Sequence, residues 1–336
     1  MKLYRLADHG SLDNLVIEDA PSPLPAHGEA IVRIRAASLN ARDLMVALGP
    51  SPYGPRPGLI PLSDGAGEVV ACGPGASGIA PGVRVAIPFR PGWIDGPYDP
   101  ADTASDLGGA INGVLTEELA VPANVLVPIP DEMTFEEAAT LPCAGVTAWS
   151  ALHRGAELQA DHSVLVMGTG GVSLFALQIA RAMGCRVIAT TSRDEKAARL
   201  RDLGASAVIN YRTCPDWDVR VRELTDGRGV DRIVEVGGAG TLPQSMAALA
   251  PEGEIALIGL LDDPMGMISP LPLMRSMGTI RGISVGSRAD LAGLVDFAAR
   301  HFRPVIDSIF EFDSVREAYA HLASRQHFGK IVIRLG

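Results

Sequence analysis

Between Ser163 and Ser173 the chain reads Ser-Val-Leu-Val-Met-Gly-Thr-Gly-Gly-Val-Ser, an apolar stretch that breaks into glycines and then resumes at helical spacing. Gly168 and Gly170 allow a tight turn and a close backbone approach to a bulky anion. A helix opening near Val172 would direct its free N–H groups and the positive end of its dipole at phosphate. The chemistry served by such a turn is the holding of a dinucleotide pyrophosphate, which points to a nicotinamide cofactor. Ser173 departs from G-x-G-x-x-G at its last place. Ser163 to Ala180 carries no charge and has the length of a membrane span. The glycines in its middle, and the spacing of Leu174, Leu177, Gln178 and Arg181, predict strand, turn and helix instead.

The flanking elements are those needed to position this turn. Arg186–Thr191 reads as a second strand, and Ser192-Arg-Asp-Glu195 has the form of a capping box opening a helix to Leu203, closed by Gly204. Further short apolar strands are predicted at Ala207–Tyr211, Arg232–Val236 and Ile255–Gly259. Strands alternating with helices imply a doubly wound parallel sheet with its ligand at the strand C-terminal ends. Selectivity for NAD usually rests on an acid at the end of the second strand. Here that place is Thr191, followed by Ser192, Arg193 and Lys196, which offer hydroxyl and cationic donors to a 2′-phosphate. Asp194 and Glu195 suit a first helical turn with or without a ligand. The expected cofactor is therefore NADP(H).

At 336 residues the chain is long for one core, so two domains are expected. A net charge of −10 argues against nucleic acid or an anionic membrane as partner. The segment Met1 to Asp8 lacks the apolar core of a signal peptide. Cys72, Cys143, Cys185 and Cys214 lie far apart, as mostly buried, reduced thiols of a cytoplasmic protein would. Before residue 128 the texture is β-rich and barrel-like, with strands at Ala30–Arg35 and Gly67–Ala71 and turns at Pro21–Pro25 and Gly73–Gly75. Arg90 to Asn112 reads as a long surface loop. Gly329–Arg334 reads as a strand returning to complete the first domain, giving expected domains of 1–127 with 271–336, and 128–270.

Six motifs stand in order: Ala36-Ala-Ser-Leu-Asn-Ala-Arg-Asp43, Pro61-Leu-Ser-Asp-Gly-Ala-Gly-Glu-Val69, Thr140-Leu-Pro-Cys-Ala-Gly-Val-Thr-Ala-Trp149, Val164–Val172, Leu203-Gly-Ala205 and Phe328-Gly-Lys-Ile-Val332. Through them the chain resembles the medium-chain dehydrogenase/reductase family over essentially its whole length, within its zinc-independent quinone oxidoreductase-like branch. The resemblance implies an α/β protein, a GroES-like β-rich domain plus a Rossmann doubly wound parallel-sheet domain, with the cofactor between them. Zinc alcohol dehydrogenases of the family hold catalytic zinc through Cys, His and Cys; the matching positions here are Asn40, Ser63 and Cys143. One such ligand in three does not make a site. The loop that would carry structural zinc has no cysteine, and His9, His27, His153, His162, His301, His321 and His327 form no replacement cluster in sequence.

Without zinc, substrates that already accept hydride are favoured, which points to quinones and α,β-unsaturated carbonyls. Asn40 is the first candidate donor to the reacting oxygen, Arg42 a candidate counter-charge, and Asp43 an orienting residue; a structural Arg42–Asp43 ion pair is an equal alternative. Tyr53 is a weaker candidate for the substrate pocket, since Met45 stands where that branch often has tyrosine. The resemblance further assigns to the cofactor Asn40, Cys143, Thr147, Gly168, Thr169, Gly170, Gly171, Val172, Thr191, Ser192, Arg193, Lys196, Tyr211, Val236, Gly237, Ile258, Gly259, Ile283, Ser284, Val285, Phe328 and Lys330. It also places the predicted strand Thr279–Val285 at an open sheet edge, where two chains would pair as a homodimer. Two alternatives stay open: a zinc-free alcohol or aldehyde oxidoreductase, and a non-catalytic NADPH-binding protein.

Overall fold

A computed structural model describes the chain except Pro50, Pro52, Pro55 and residues 260–265. It divides into two units, Met1–Val146 with Gly286–Gly336, and Thr147–Val285. Both seams lie further along the chain than the expected ones after Val127 and Pro270.

The second unit is built on a six-stranded parallel sheet in the order Ala207–Asn210, Arg186–Thr191, Ser163–Met167, Val230–Glu235, Leu249–Leu257 and Thr279–Gly282. Successive strands run outward from Ser163–Met167 in one direction and then in the other. The crevice for a ligand therefore opens at the C-terminal end of that strand. All five of its residues are buried, which explains a continuous apolar run in place of alternation. Leu165, Ile188, Ile233, Ile255 and Val221 of the helix Trp217–Leu224 close the core. Met167 leads through the glycine turn into the helix Gly171–Ala182.

One local expectation is overturned. Ser192 does not cap the next helix, which spans Asp194–Asp202 with Arg193 at its N-cap and no side-chain capping bond. The Thr191 hydroxyl, one residue earlier, accepts from the Arg193 N–H at 3.2 Å.

The first unit carries a seven-stranded sheet. Its path is Ile306–Glu311, Lys330–Arg334, Glu29–Leu39, Asp64–Cys72, Arg84–Ile87 and Val127–Pro128, with Glu118–Pro122 also paired to Glu29–Leu39. Lys330–Arg334 runs antiparallel to Glu29–Leu39 in the register Ile331↔Leu39 and Val332↔Ser38. Extended by one pair, that register sets Lys330 opposite Asn40. The segment Arg90 to Asn112 is less of a surface loop than its Gly/Pro content suggests. Arg90 donates to both oxygens of Asp106 at 2.5 and 3.0 Å, the pair is buried, and Trp93 and Leu107 are buried with it. A short 3₁₀ turn, Pro100–Ser105, is capped by Asp99. A bidentate ion pair satisfies the charges that burial of this loop would otherwise strand.

Of the four cysteines only Cys185 is buried; Cys72, Cys143 and Cys214 are partly exposed, and none is paired. No helix among the described residues is long and apolar enough to cross a membrane.

Candidate active site

The candidate residues form two groups, one in each unit. In the second unit, Gly168 has φ +79°, a conformation open to glycine and strained for other residues. Its N–H donates to Thr190 O at 3.0 Å, tying the turn to the neighbouring strand. A Cβ placed on Gly168 or Gly170 would meet nothing within 4 Å, so the glycines leave free space above the helix N-terminus. In place of the third glycine, Ser173 is buried and donates through Oγ to Met167 O at 2.6 Å. Lys196, also buried, reaches back from its helix to donate to Thr169 Oγ1 at 3.2 Å. That bond sets a cation beside the glycine turn. Arg193 is half-exposed and lies 3.2 Å from Glu195, and the exposed Tyr211 donates its N–H to Thr191 O.

The neighbouring strand ends are held by a residue that sequence reasoning missed. The carboxylate of Glu235 accepts from the N–H groups of Gly237 and Gly238 at 2.8 and 3.2 Å and from the Thr241 hydroxyl at 2.7 Å. It also accepts from Ser245 Oγ. Its carbonyl accepts from the N–H groups of Ile258 and Gly259. Val236, Gly237, Ile258 and Gly259 are thus gathered at one place, so closely that a Cβ on Gly259 would stand 1.7 Å from Val236 O. The only advance signal was an acid inside the apolar run Arg232–Val236. Ile283 donates its N–H to Leu257 O at 2.9 Å, while Val285 is bent to φ +57°. Thr147 is buried on the helix Val146–His153.

The first unit's group centres on Asn40. Its N–H donates to Asp43 Oδ2 at 2.7 Å, and its side-chain Oδ1 accepts from Lys330 Nζ at 2.6 Å. Lys330 also donates to Leu39 O at 2.7 Å and lies 3.5 Å from Asp64 Oδ2. Asp64 accepts from Ser63 Oγ at 2.8 Å, Ser38 Oγ at 3.4 Å and the Cys143 N–H at 3.3 Å. Ser38, Asn40, Ser63, Asp64 and Lys330 are all buried, and Cys143 sits on the π-helical turn Leu141–Gly145. Burial, and then the charge of Asp64, push the Cys143 thiol well above its ordinary range, so it is a poor thiolate. Burial likewise raises the Asp43 carboxyl to about 6 against the pull of Arg42.

Arg42 is spent on the loop. It donates to Leu107 O and Gly108 O at 3.1 and 3.4 Å, stands 3.5 Å from Asp43 Oδ1, and stacks on the rings of Tyr53 and Phe89. Burial works against its charge, but Asp43 and Tyr53 outweigh that and hold it cationic. Tyr53 donates to Asp106 Oδ2 at 2.7 Å, and burial raises its hydroxyl to about 12. Tyr53 lines a surface hollow of about 420 Å³ with Arg56 and the Pro100–Ala104 turn. Met45 is exposed and Phe328 buried, the latter donating its N–H to Asp307 Oδ1.

Two stretches of the chain match known domain families: residues 26–131 the alcohol dehydrogenase GroES-like domain, and residues 171–300 the zinc-binding dehydrogenase domain. A zinc-type alcohol dehydrogenase-like protein of Schizosaccharomyces pombe is 40% identical, over 92% of this chain and 91% of its own. The chain belongs to the medium-chain dehydrogenase/reductase family. Its members are oxidoreductases, and this one falls in the quinone oxidoreductase-like branch. Among solved structures of similar proteins, an NAD-dependent alcohol dehydrogenase is 33% identical with a TM-score of 0.90, each chain covered in full. A mycobacterial protein determined in complex with NADPH is 28% identical with a TM-score of 0.83, again with full coverage of both.

Within this family the two expected ligand groups fare differently. The strand, glycine turn and helix, with open space at Gly168 and Gly170, fit a dinucleotide pyrophosphate. The positions equivalent to catalytic zinc ligands do not fit zinc. Asn40 Oδ1 and Ser63 Oγ are engaged with Lys330 and Asp64, neither an amide nor a serine hydroxyl is a usual zinc ligand, and the ammonium of Lys330 brings its own positive charge to the place.

Proposed function

We propose that the protein is an NADPH-dependent, zinc-independent oxidoreductase that reduces a quinone or an α,β-unsaturated carbonyl, as a homodimer. The observation that carries this reading is the amide of Asn40. Its Nδ2 is buried and has no hydrogen-bond partner among the described residues, and a donor left this way is suited to an oxygen that gains negative charge. Bound NADPH would supply the hydride. Conjugation in the acceptor spreads the charge that hydride brings, so a neutral amide donor beside a fixed ammonium suffices where an alkoxide would call for a metal. Thr191, Ser192, Arg193 and Lys196 would receive the 2′-phosphate, with Tyr211 beside them. Gly168, Thr169, Gly170, Gly171 and Val172 would hold the pyrophosphate. Arg42 and Asp43 position the loop and Asn40 in place of moving protons.

The test is NADPH oxidation at 340 nm with a panel of quinones, enones, saturated aldehydes and alcohols, with and without a chelator, beside elemental analysis of the purified protein. Turnover of quinones or enones, unaffected by chelator and with far less than one zinc per chain, is expected. Turnover confined to alcohols or aldehydes would assign the alternative activity, NADPH binding without any turnover would assign a binding protein, and chelator-sensitive turnover with stoichiometric zinc would overturn the reading.

A further inference from the structure

We infer that Lys330 is a positioning residue: it locks the Asn40 amide so that the donor half is presented to the substrate oxygen. The inference rests on the reading of Asn40 given above and adds what controls it. An asparagine amide can be turned two ways, and the two differ in whether oxygen or nitrogen faces a neighbour. Lys330 Nζ has three protons and no acceptor capacity, so at 2.6 Å only Oδ1 can face it. The reverse orientation would set donor against donor.

The lysine itself has no freedom to relax. Its three protons have three acceptors, Leu39 O, Asn40 Oδ1 and Asp64 Oδ2. Its backbone N–H donates to Val305 O at 2.9 Å, and the residues that follow it pair with Glu29–Leu39. Asp64, the buried counter-charge, is fixed in turn by Ser63, Ser38 and the Cys143 N–H. The backbone of Asn40 is pinned from the other side by Asp43. What remains is Nδ2, buried, with two N–H groups and no partner among the described residues. Preorganisation of this kind, in which a donor is held by residues that never touch the substrate, is what lets an amide stabilise charge without rearranging at the moment of reaction.

The test uses the whole protein. Lys330→Met should lower kcat by roughly 10- to 100-fold at saturating NADPH while the KM for the acceptor changes by less than about threefold, since the loss falls on the transition state. Asn40→Asp keeps an acceptor for Lys330 but removes the donor; it should fold and lose kcat by roughly 100-fold. The double variant should be no slower than the worse single one, because both remove the same interaction. If Lys330→Met fails to fold, Lys330→Gln, which retains one shorter donor, should give an intermediate kcat. In spectra of protein labelled with ¹⁵N at asparagine, the Asn40 side-chain pair, identified by its absence from Asn40→Asp, should shift in the Lys330 variants. An unchanged kcat, a loss confined to NADPH affinity, or an unmoved Asn40 amide would each overturn the inference. A wild-type protein that turns over no acceptor, yet shows a Lys330-dependent Asn40 amide, would sink the proposed activity and leave the positioning in place.

Discussion

Ser173 donates its hydroxyl to the carbonyl of Met167 at 2.6 Å, joining the first turn of the helix to the last residue of the strand before it. A third glycine would leave helix and strand to pack by contact alone; the serine fastens them. Ser173→Ala should therefore cost about 1 kcal/mol in denaturant unfolding, the usual worth of such a bond, and change NADPH affinity by no more than about twofold. A large loss of affinity at unchanged stability would mean that the hydroxyl serves the ligand instead.

Two other glycines separate fold from function. Gly170 lies at φ −78° with open space where a Cβ would go, so Gly170→Ala should leave stability within about 0.5 kcal/mol and weaken NADPH binding by roughly tenfold or more. Gly259→Ala drives a methyl group into Val236 O and should cost about 3 kcal/mol or more. Paired thermal melts and fluorescence titrations check both, and the prediction fails if Gly170→Ala is the destabilised variant.

For the cofactor, Arg193→Ala and Lys196→Ala should each reduce NADPH affinity about tenfold, in line with loss of one charge-assisted bond, and leave NADH affinity nearly unchanged. Wild-type protein that binds NADH as tightly as NADPH would refute the assignment of the 2′-phosphate to this segment.

The Asp43 carboxyl, raised by burial to about 6, gives stability a defined pH dependence. An acid with a raised folded-state pKa holds its proton more tightly when folded, so its contribution is greatest below the unfolded value and declines as pH rises through about 6. Relative to Asp43→Asn, the wild type should lose up to about 3 kcal/mol between roughly pH 4 and pH 7. Parallel urea melts at several pH values would show this, and curves that stay a constant distance apart would contradict it.

At the edge of the parallel sheet, Thr279–Gly282 pairs with Leu249–Leu257 on one side only among the described residues. An edge of this kind is expected to be covered by a second copy. Ile283→Pro removes the N–H given to Leu257 O and should weaken both association and NADPH binding. Sedimentation of the wild type as a monomer at micromolar concentration would be evidence against the dimer.

The parts legible in the sequence are those in which neighbours along the chain are neighbours in space. The strand, turn and helix around Gly168 and the alternation of strands and helices beyond it carry local periodicity, and they sufficed for the parallel sheet; the family came from six motifs spread along the chain. The failure at Ser192 was local too. Its Ser-x-x-Glu spacing fits a capping box, but Thr191 already engages the Arg193 N–H and the helix opens a residue later. The buried charges were not legible. Lys330 and Asn40 lie 290 positions apart, and Arg90 finds Asp106 inside a segment whose Gly/Pro content resembles a solvated loop. No periodic pattern reports contacts of that range.

The discontinuity of the first unit has a consequence for biosynthesis. Residues 147–285 form one uninterrupted unit, and all six strands of its sheet come from within it. The sheet of the other unit needs Lys330–Arg334 between two of its strands, Ile306–Glu311 and Glu29–Leu39, so the segment synthesised first must wait for one made some three hundred residues later. A nascent chain would therefore acquire the turn for its cofactor well before the lysine that orients Asn40. On the reading proposed above, a chain stopped before Lys330 would already have the glycine turn and would still lack the residue that orients Asn40.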